Sequence, residues 1–123
     1  MYLKVCPPFK HVHAIYKGNH KIGEITFIKK NKILLILFME IYPEYRNRYY
    51  GYKVIEYLLS HYKINCIIGE TLITARGFWN KCIQKYDGQR RNIRYSDNCS
   101  SSFVIPKYKI TNQDIYNLLE KFS

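Results

Sequence analysis

Two arginines, a glycine and a proline stand closest to chemistry in this chain. From Ile36 to Leu59 the sequence reads ILFMEIYPEYRNRYYGYKVIEYLL. An apolar run stops at Pro43, a short basic turn follows, and the turn contains Gly51 and opens into a helical pattern. Backbone N–H groups at a helix start, together with the helix dipole, form a ready anion site. Arg46 and Arg48 add charge and forked donors for phosphate oxygens. Such a site suits a pyrophosphate. The remaining reactive side chains form no comparable group. Cys6, Cys66, Cys82 and Cys99 are widely spaced and include no CxxC pair. They read as free thiols of a reducing compartment, small buried residues rather than metal ligands. His11, His13 and His20 fall on a predicted strand and its turn with no acidic partner close in sequence, which argues against a metal site.

The elements that must position the basic turn can be read on either side of it. His11 to Tyr16 reads as a strand, Lys17-Gly18-Asn19-His20 as a turn, and Lys21 to Lys29 as a second strand alternating between two faces. After Lys30-Asn31-Lys32, Ile33 to Tyr42 reads as a long apolar strand covered on both sides. From about Arg48 the period becomes helical, with Val54, Ile55, Leu58, Leu59 and Tyr62 in one stripe. Ile64 to Gly69 fits a strand parallel to the one before the helix. A second helix is expected from a Thr71 or Thr74 cap to about Tyr86, closed by Gly88 in a left-handed position. Gln89 to Asn98 reads as a loop or an irregular strand, Ser101 to Tyr108 as a strand. Thr111 to Asp114 reads as the cap of a terminal helix with Ile115, Leu118, Leu119 and Phe122 inward. Residues 1–10, with Pro7-Pro8, read as a stiff extended segment. The order is an antiparallel meander, then β-α-β, then helix, strand and terminal helix: α+β with a mixed sheet.

A chain of 123 residues fits one domain, 1–123, and with 47% hydrophobic and 24% charged residues it is globular rather than disordered. The longest apolar run, Ile33 to Ile41, is broken by Glu40 and too short to span a bilayer. The opening MYLKVCPPFKH has no signal-peptide pattern, so no membrane association and a cytoplasmic location are expected. The net charge of +11 draws the chain to anions: nucleic acid, an acidic protein face or a polyanionic cofactor. The stretch Gln89 to Tyr95 interleaves basic and aromatic groups, as a nucleic-acid contact or as a solvated loop. Abundant Ile, Lys, Asn and Tyr also fit an AT-rich coding bias that would raise the charge by itself.

PEYRNRYYGYKVIEYLL resembles the acyl-CoA signature of the GNAT acetyltransferases, a strand followed by P-E-x-R/Q-x-x-G-x-G/A and a helix. By position Arg46 matches the leading Arg/Gln and Gly51 the last Gly/Ala, while Tyr49 stands in the place of the first glycine. Tyr49 is expected to serve there with its side chain toward solvent and a negative φ. Ile22-Gly23-Glu24-Ile25 is similar to the family's strand after the turn, and Ala75-Arg76-Gly77-Phe78-Trp79-Asn80-Lys81 to its A-x-x-F-Y-x-K segment. Leu72 replaces a frequent Asn, Trp79 replaces the tyrosine that often protonates the departing thiolate, and the glycine expected after Lys81 is missing. The match runs over roughly residues 12 to 86.

The resemblance implies a GNAT-like fold, acetyl-CoA as cofactor, and transfer of an acetyl group to an amine. It implies a cofactor loop of Arg46, Asn47, Arg48, Tyr49, Tyr50, Gly51 and Tyr52, with the backbone of Ile41 meeting the pantetheine or acetyl group. A carboxylate on the central strands would serve as base, Glu40 or Glu70. With Trp79 in the tyrosine's place the proton donor stays open between Tyr86, two helical turns on, and Tyr50 or Tyr52 beside the loop. The tyrosines 42, 45, 49, 50 and 52 would stack on adenine or meet a partner. The acceptor amine is open; the basic surface favours one carried by an acidic macromolecule. The apolar terminal helix offers a face for a homodimer. The departures at Tyr49, Leu72 and Trp79 support the alternative, a catalytically degenerate GNAT-fold module that binds a protein or nucleic-acid partner.

Overall fold

The computed structural model describes residues 1–30, 32–69, 76–96, 99–107 and 113. They fall in two compact units, Met1–Ile28 with Ile36–Lys63, and Lys29–Leu35 with Ile64–Ser123. The predicted caps at Thr71 and Thr74, Glu70 and the terminal helix beyond Gln113 lie outside the described residues.

The first unit is an antiparallel meander with one helix. Its strands β1 (Tyr2–Cys6), β2 (Phe9–Lys17), β3 (His20–Lys30) and β4 (Ile33–Ile41) follow in sheet order. Pro7-Pro8, read from sequence as an extended lead-in, is instead a two-residue turn with a cis peptide bond, and β1 pairs back on β2 from Tyr2↔Tyr16 to Val5↔His13. The Gly18-Asn19 turn between β2 and β3 has Gly18 at φ 59°, a left-handed value that a glycine takes without steric cost. Helix α1 (Tyr50–His61) buries Tyr50, Val54, Ile55 and Leu58. Each of the three aliphatic residues contributes about 2 kcal/mol of burial. The helix is fixed at both ends: Tyr62 meets Phe27 edge-to-face at 5.4 Å, and Tyr50 accepts a hydrogen bond from Lys17 at 2.6 Å.

In the second unit the start of β4 (residues 33–35) is followed in sheet order by β5 (Cys66–Gly69), β7 (Cys99–Pro106) and β6 (Gln89–Ser96). The Asn65 N–H donates to Lys32 O at 2.6 Å, joining the residues just before β5 and β4. Strands that begin level in this way run parallel, so the β4–α1–β5 crossover makes the sheet mixed, as its sequence implies. β7 lies antiparallel to β5, with Cys66↔Pro106 through Gly69↔Phe103. β6 pairs with β7 through two register shifts, the irregular strand of the two sequence alternatives. Helix α2 (Arg76–Lys85) ends in a Schellman-type turn, the Gly88 N–H reaching Ile83 O at 2.7 Å. The left-handed residue there is Asp87, at φ 52°, not Gly88. Gly88 is needed for a different reason: a Cβ would come within 2.7 Å of Val104 O.

A second glycine governs the site. Gly23 lies on β3 against β4, and a Cβ there would overlap the carbonyl oxygen of Glu40. Gly23→Ala must therefore push the end of β4 aside, and a loss of about 3 kcal/mol is expected from chemical denaturation. Buried His13 gives a pH signature. It stacks on Phe27 at 4.4 Å, and burial holds its imidazole below the ordinary value of 6.5. The unfolded chain takes up the proton more readily, so stability is full above about pH 6.5 and falls as the pH drops toward the folded-state value. Urea midpoints between pH 7.5 and 5.5 should show this fall in the parent and a shallower one in His13→Phe.

Candidate functional site

The basic turn is built from the last residues of β4 onward. Tyr42 N–H donates to Ile22 O at 2.8 Å, closing the β3–β4 ladder. In an antiparallel pair the main-chain groups of successive residues point to opposite edges. The N–H and C=O of Ile41 therefore point away from β3. Pro43 has no N–H to continue the ladder, and Pro43–Tyr45 instead forms a single 3-10 turn, with Tyr45 N–H on Tyr42 O at 2.9 Å. Arg46 then reaches back, its Nε donating to Ile41 O at 2.8 Å. Two left-handed residues, Asn47 at φ 62° and Tyr49 at φ 64°, swing the chain into α1.

The start of α1 is open to an anion. Its N-cap, Tyr49, supplies no side-chain hydrogen bond, and no carboxylate stands in its first turn. Helix N-termini lacking such a cap hold unsatisfied N–H groups and a positive dipole end. The family signature carries a glycine at Tyr49, and the negative φ expected for its tyrosine is not found. The backbone keeps the left-handed conformation that glycine adopts freely, and the side chain is 73% exposed. The ring stands off the loop, in tilted contact with Tyr52 at 6.1 Å.

The neighbouring Tyr50 has the opposite environment. It is only 6% exposed, with Tyr45 edge-on at 6.4 Å. The Lys17 ammonium hydrogen-bonded to its phenol holds its pKa below the ordinary value, and the charges of Arg48 and Lys53 act in the same direction. The Lys17 and Lys53 ammonium groups lie 4.9 and 5.7 Å from the ring centroid. Lys17 was not among the candidates read from sequence. It stands 33 residues before Tyr50, and only the docking of the β2–β3 hairpin brings the two together.

Of the predicted acid and base groups, Glu40 is half-buried on β4, next to Ile41. Tyr86 lies in the second unit just past the end of α2, with Lys85 Nζ 5.5 Å from its ring centroid. Trp79, in the family's tyrosine position, is buried and stacked on Phe103 at 4.5 Å. One carboxylate that the sequence did not single out for chemistry also sits near the end of β4. Glu24 accepts a hydrogen bond from Lys21 at 2.7 Å and one from Tyr42 at 3.5 Å. Lys21 holds the Glu24 carboxyl below the ordinary value, and both side chains remain over a third exposed.

No family model and no curated protein matches the sequence. Solved structures do match the fold. A putative GNAT-family acetyltransferase from Bacteroides thetaiotaomicron is 16% identical, with a TM-score of 0.62 over 94% of this chain and 73% of that one. The Bacillus subtilis N-acetyltransferase YlbP in complex with coenzyme A is 20% identical, with a TM-score of 0.56 over 78% and 67%. Diaminobutyrate acetyltransferase from Paenibacillus lautus, in complex with its diamine substrate and coenzyme A, is 10% identical, with a TM-score of 0.58 over 83% and 74%. The fold is that of the GNAT acetyltransferases.

A tyrosine in the left-handed region costs about 1–2 kcal/mol, part of which a glycine returns as lost chain entropy. Tyr49→Gly is therefore expected to stabilise the protein by about 0.5–1 kcal/mol, a rise of a few degrees in Tm by calorimetry. A fall in Tm would mean that the exposed ring holds the loop in place.

Proposed function

We propose that the protein is an acyl-CoA-dependent N-acetyltransferase that moves an acetyl group from acetyl-CoA to an amine. The observation that carries this reading is the turn from Pro43 to Tyr50: it opens α1 without a cap, without a carboxylate, and with a glycine-like backbone at Tyr49. Arg46, Asn47, Arg48 and the first residues of α1 would hold the cofactor's diphosphate through forked side-chain donors and backbone N–H groups. When bound, acetyl-CoA supplies the activated acetyl thioester. The main chain of Ile41, turned away from β3, would orient that end of the cofactor through its N–H and C=O.

Proton handling falls to the carboxylates and one tyrosine. Glu40, half-buried beside Ile41, is the leading base for removing a proton from the acceptor ammonium, with Glu70 as the second candidate. Tyr86 is the candidate donor to the leaving thiolate, because an indole does not give up its proton and Trp79 is committed to the Phe103 stack. The net charge of +11 favours an acceptor amine displayed on an acidic macromolecule. No helix among the described residues is long and apolar enough to cross a membrane.

The buried Trp79 also favours a second reading. A chain that has turned the usual proton donor's position into core can retain the fold and the anion site while binding a partner without turnover.

The two readings separate in a thermal-shift titration with acetyl-CoA, with CoA and an inorganic polyphosphate as controls. A saturable rise specific to acetyl-CoA and CoA is expected, corresponding to about 2.7 kcal/mol at a hundredfold excess over Kd. The double variant Arg46→Ala/Arg48→Ala should lose most of it. Protection that survives the double variant would sink the loop assignment. Protection without acetylation of any amine offered would favour the binding module.

A further inference from the structure

The loop carries more positive charge than a diphosphate calls for. A diphosphate esterified at both ends bears two negative charges. Arg46, Arg48 and the dipole end of α1, equivalent to roughly half a unit charge, already match it. Lys17 and Lys53 remain. No carboxylate among the described residues pairs with any of these four cations, whereas Lys21, on the next strand, is paired with Glu24 at 2.7 Å. This chain pairs a lysine at the base of the same hairpin, so the unpaired state of Lys17 is a local feature rather than a shortage of acids nearby.

Lys17 is also held in place. It is the last residue of β2, exposed at the hairpin and opposite His20 across the strands. An exposed lysine there would ordinarily sample many rotamers. Instead its ammonium is fixed at 2.6 Å to the phenol of Tyr50, whose own ring is nearly fully buried. An ammonium has three N–H groups. One is used on Tyr50, and two are left at the start of α1. Tyr50 is in this sense a positioning residue, and its burial gives a flexible cation a fixed address.

Resting on the cofactor reading above, we propose that Lys17, placed by Tyr50 and aided by Lys53, recognises the terminal phosphomonoester of coenzyme A, so that the protein discriminates the complete cofactor from its 3′-dephospho form. A phosphomonoester carries about −1.5 to −2 charges at neutral pH, which the two lysines match. A merely structural role for Lys17, pinning the hairpin to the helix, would need a donor but no net charge.

The test is calorimetric titration of the full chain with coenzyme A and with 3′-dephospho-coenzyme A, so that affinity rather than turnover is read. The parent should bind coenzyme A about five- to tenfold more tightly, the scale of a partly exposed charge-assisted contact. Raising the salt should narrow that ratio. Lys17→Met keeps the alkyl stem over Tyr50, and should bring the ratio close to one by weakening coenzyme A alone. Lys53→Met should narrow it in the same direction, and carries the test if Lys17→Met fails to fold. A parent ratio of one, or a Lys17→Met that weakens both ligands equally or neither, overturns the proposal while leaving the cofactor reading intact. Failure of both ligands to bind the parent would instead remove the cofactor reading, and this inference with it.

Discussion

The closure of β3 on β4 at Ile22–Gly23 is the constraint on which the rest of the loop depends. Tyr42 N–H on Ile22 O ends the ladder, and the missing side chain of Gly23 lets the Glu40 carbonyl come close. That contact fixes which main-chain groups of β4 are spent on β3. It therefore fixes that the N–H and C=O of Ile41 face the other edge. Pro43 then forces departure from the sheet within two residues. With the strand end held and the exit forced, Arg46 can return to Ile41 O, and the direction in which α1 starts is set by the two left-handed residues that follow.

The same few residues forgo stability. An uncapped helix start gives up about 1 kcal/mol relative to Ser, Thr, Asp or Asn at the cap, and a tyrosine in the left-handed region costs about as much again. Four cations are gathered with no acid among the described residues to offset them. Elsewhere the first unit is well satisfied: Val54, Ile55 and Leu58 of α1 are buried, His13 is stacked, and Lys21 is paired. Unfavourable features confined to one turn, within a well-packed unit, fit a place where an external anion restores what the fold leaves out.

Much of this was legible in sequence, for identifiable reasons. The stripe of Val54, Ile55 and Leu58 has a period that only a helix satisfies, and the apolar run before Pro43 forms the expected strand, although it is covered on both sides only as far as Ile36, with Leu37 and Phe38 exposed. The basic turn between them could be placed to within two residues. Apart from the local φ of Tyr49, the failures share a physical origin: spatial neighbours far apart in sequence leave no periodic signal. Pro7-Pro8 looks like part of a stiff extended segment until β1 is seen to fold back across it. Gly88 looks like a left-handed cap until Val104 is seen against it, which leaves Asp87 to take the positive φ. Tyr50 was counted in the loop by position, but its bond to Lys17 depends on how a hairpin docks. Trp79 was aligned with a catalytic tyrosine, and nothing in α2's own residues says that Phe103 would cover it.

The cysteines narrow the chemistry further. A thiol that accepted an acyl group and passed it on would give a two-step route needing no acceptor at the first step. Cys66 and Cys82 are fully buried, and burial pushes both thiols up to about 12. At neutral pH the thiolate fraction of such a group is on the order of one in 10⁵, and the neutral thiol is the poorer nucleophile. Neither can compete with an amine brought to a carboxylate. If this chain transfers an acetyl group, the acceptor nitrogen must lose its proton before it can attack. The excess of positive charge in the protein then acts on that step as well: it lowers the pKa of an approaching ammonium, and it attracts acceptors whose surroundings are acidic. One property of the chain, its net charge of +11, would then bear on cofactor binding, acceptor choice and acceptor activation together.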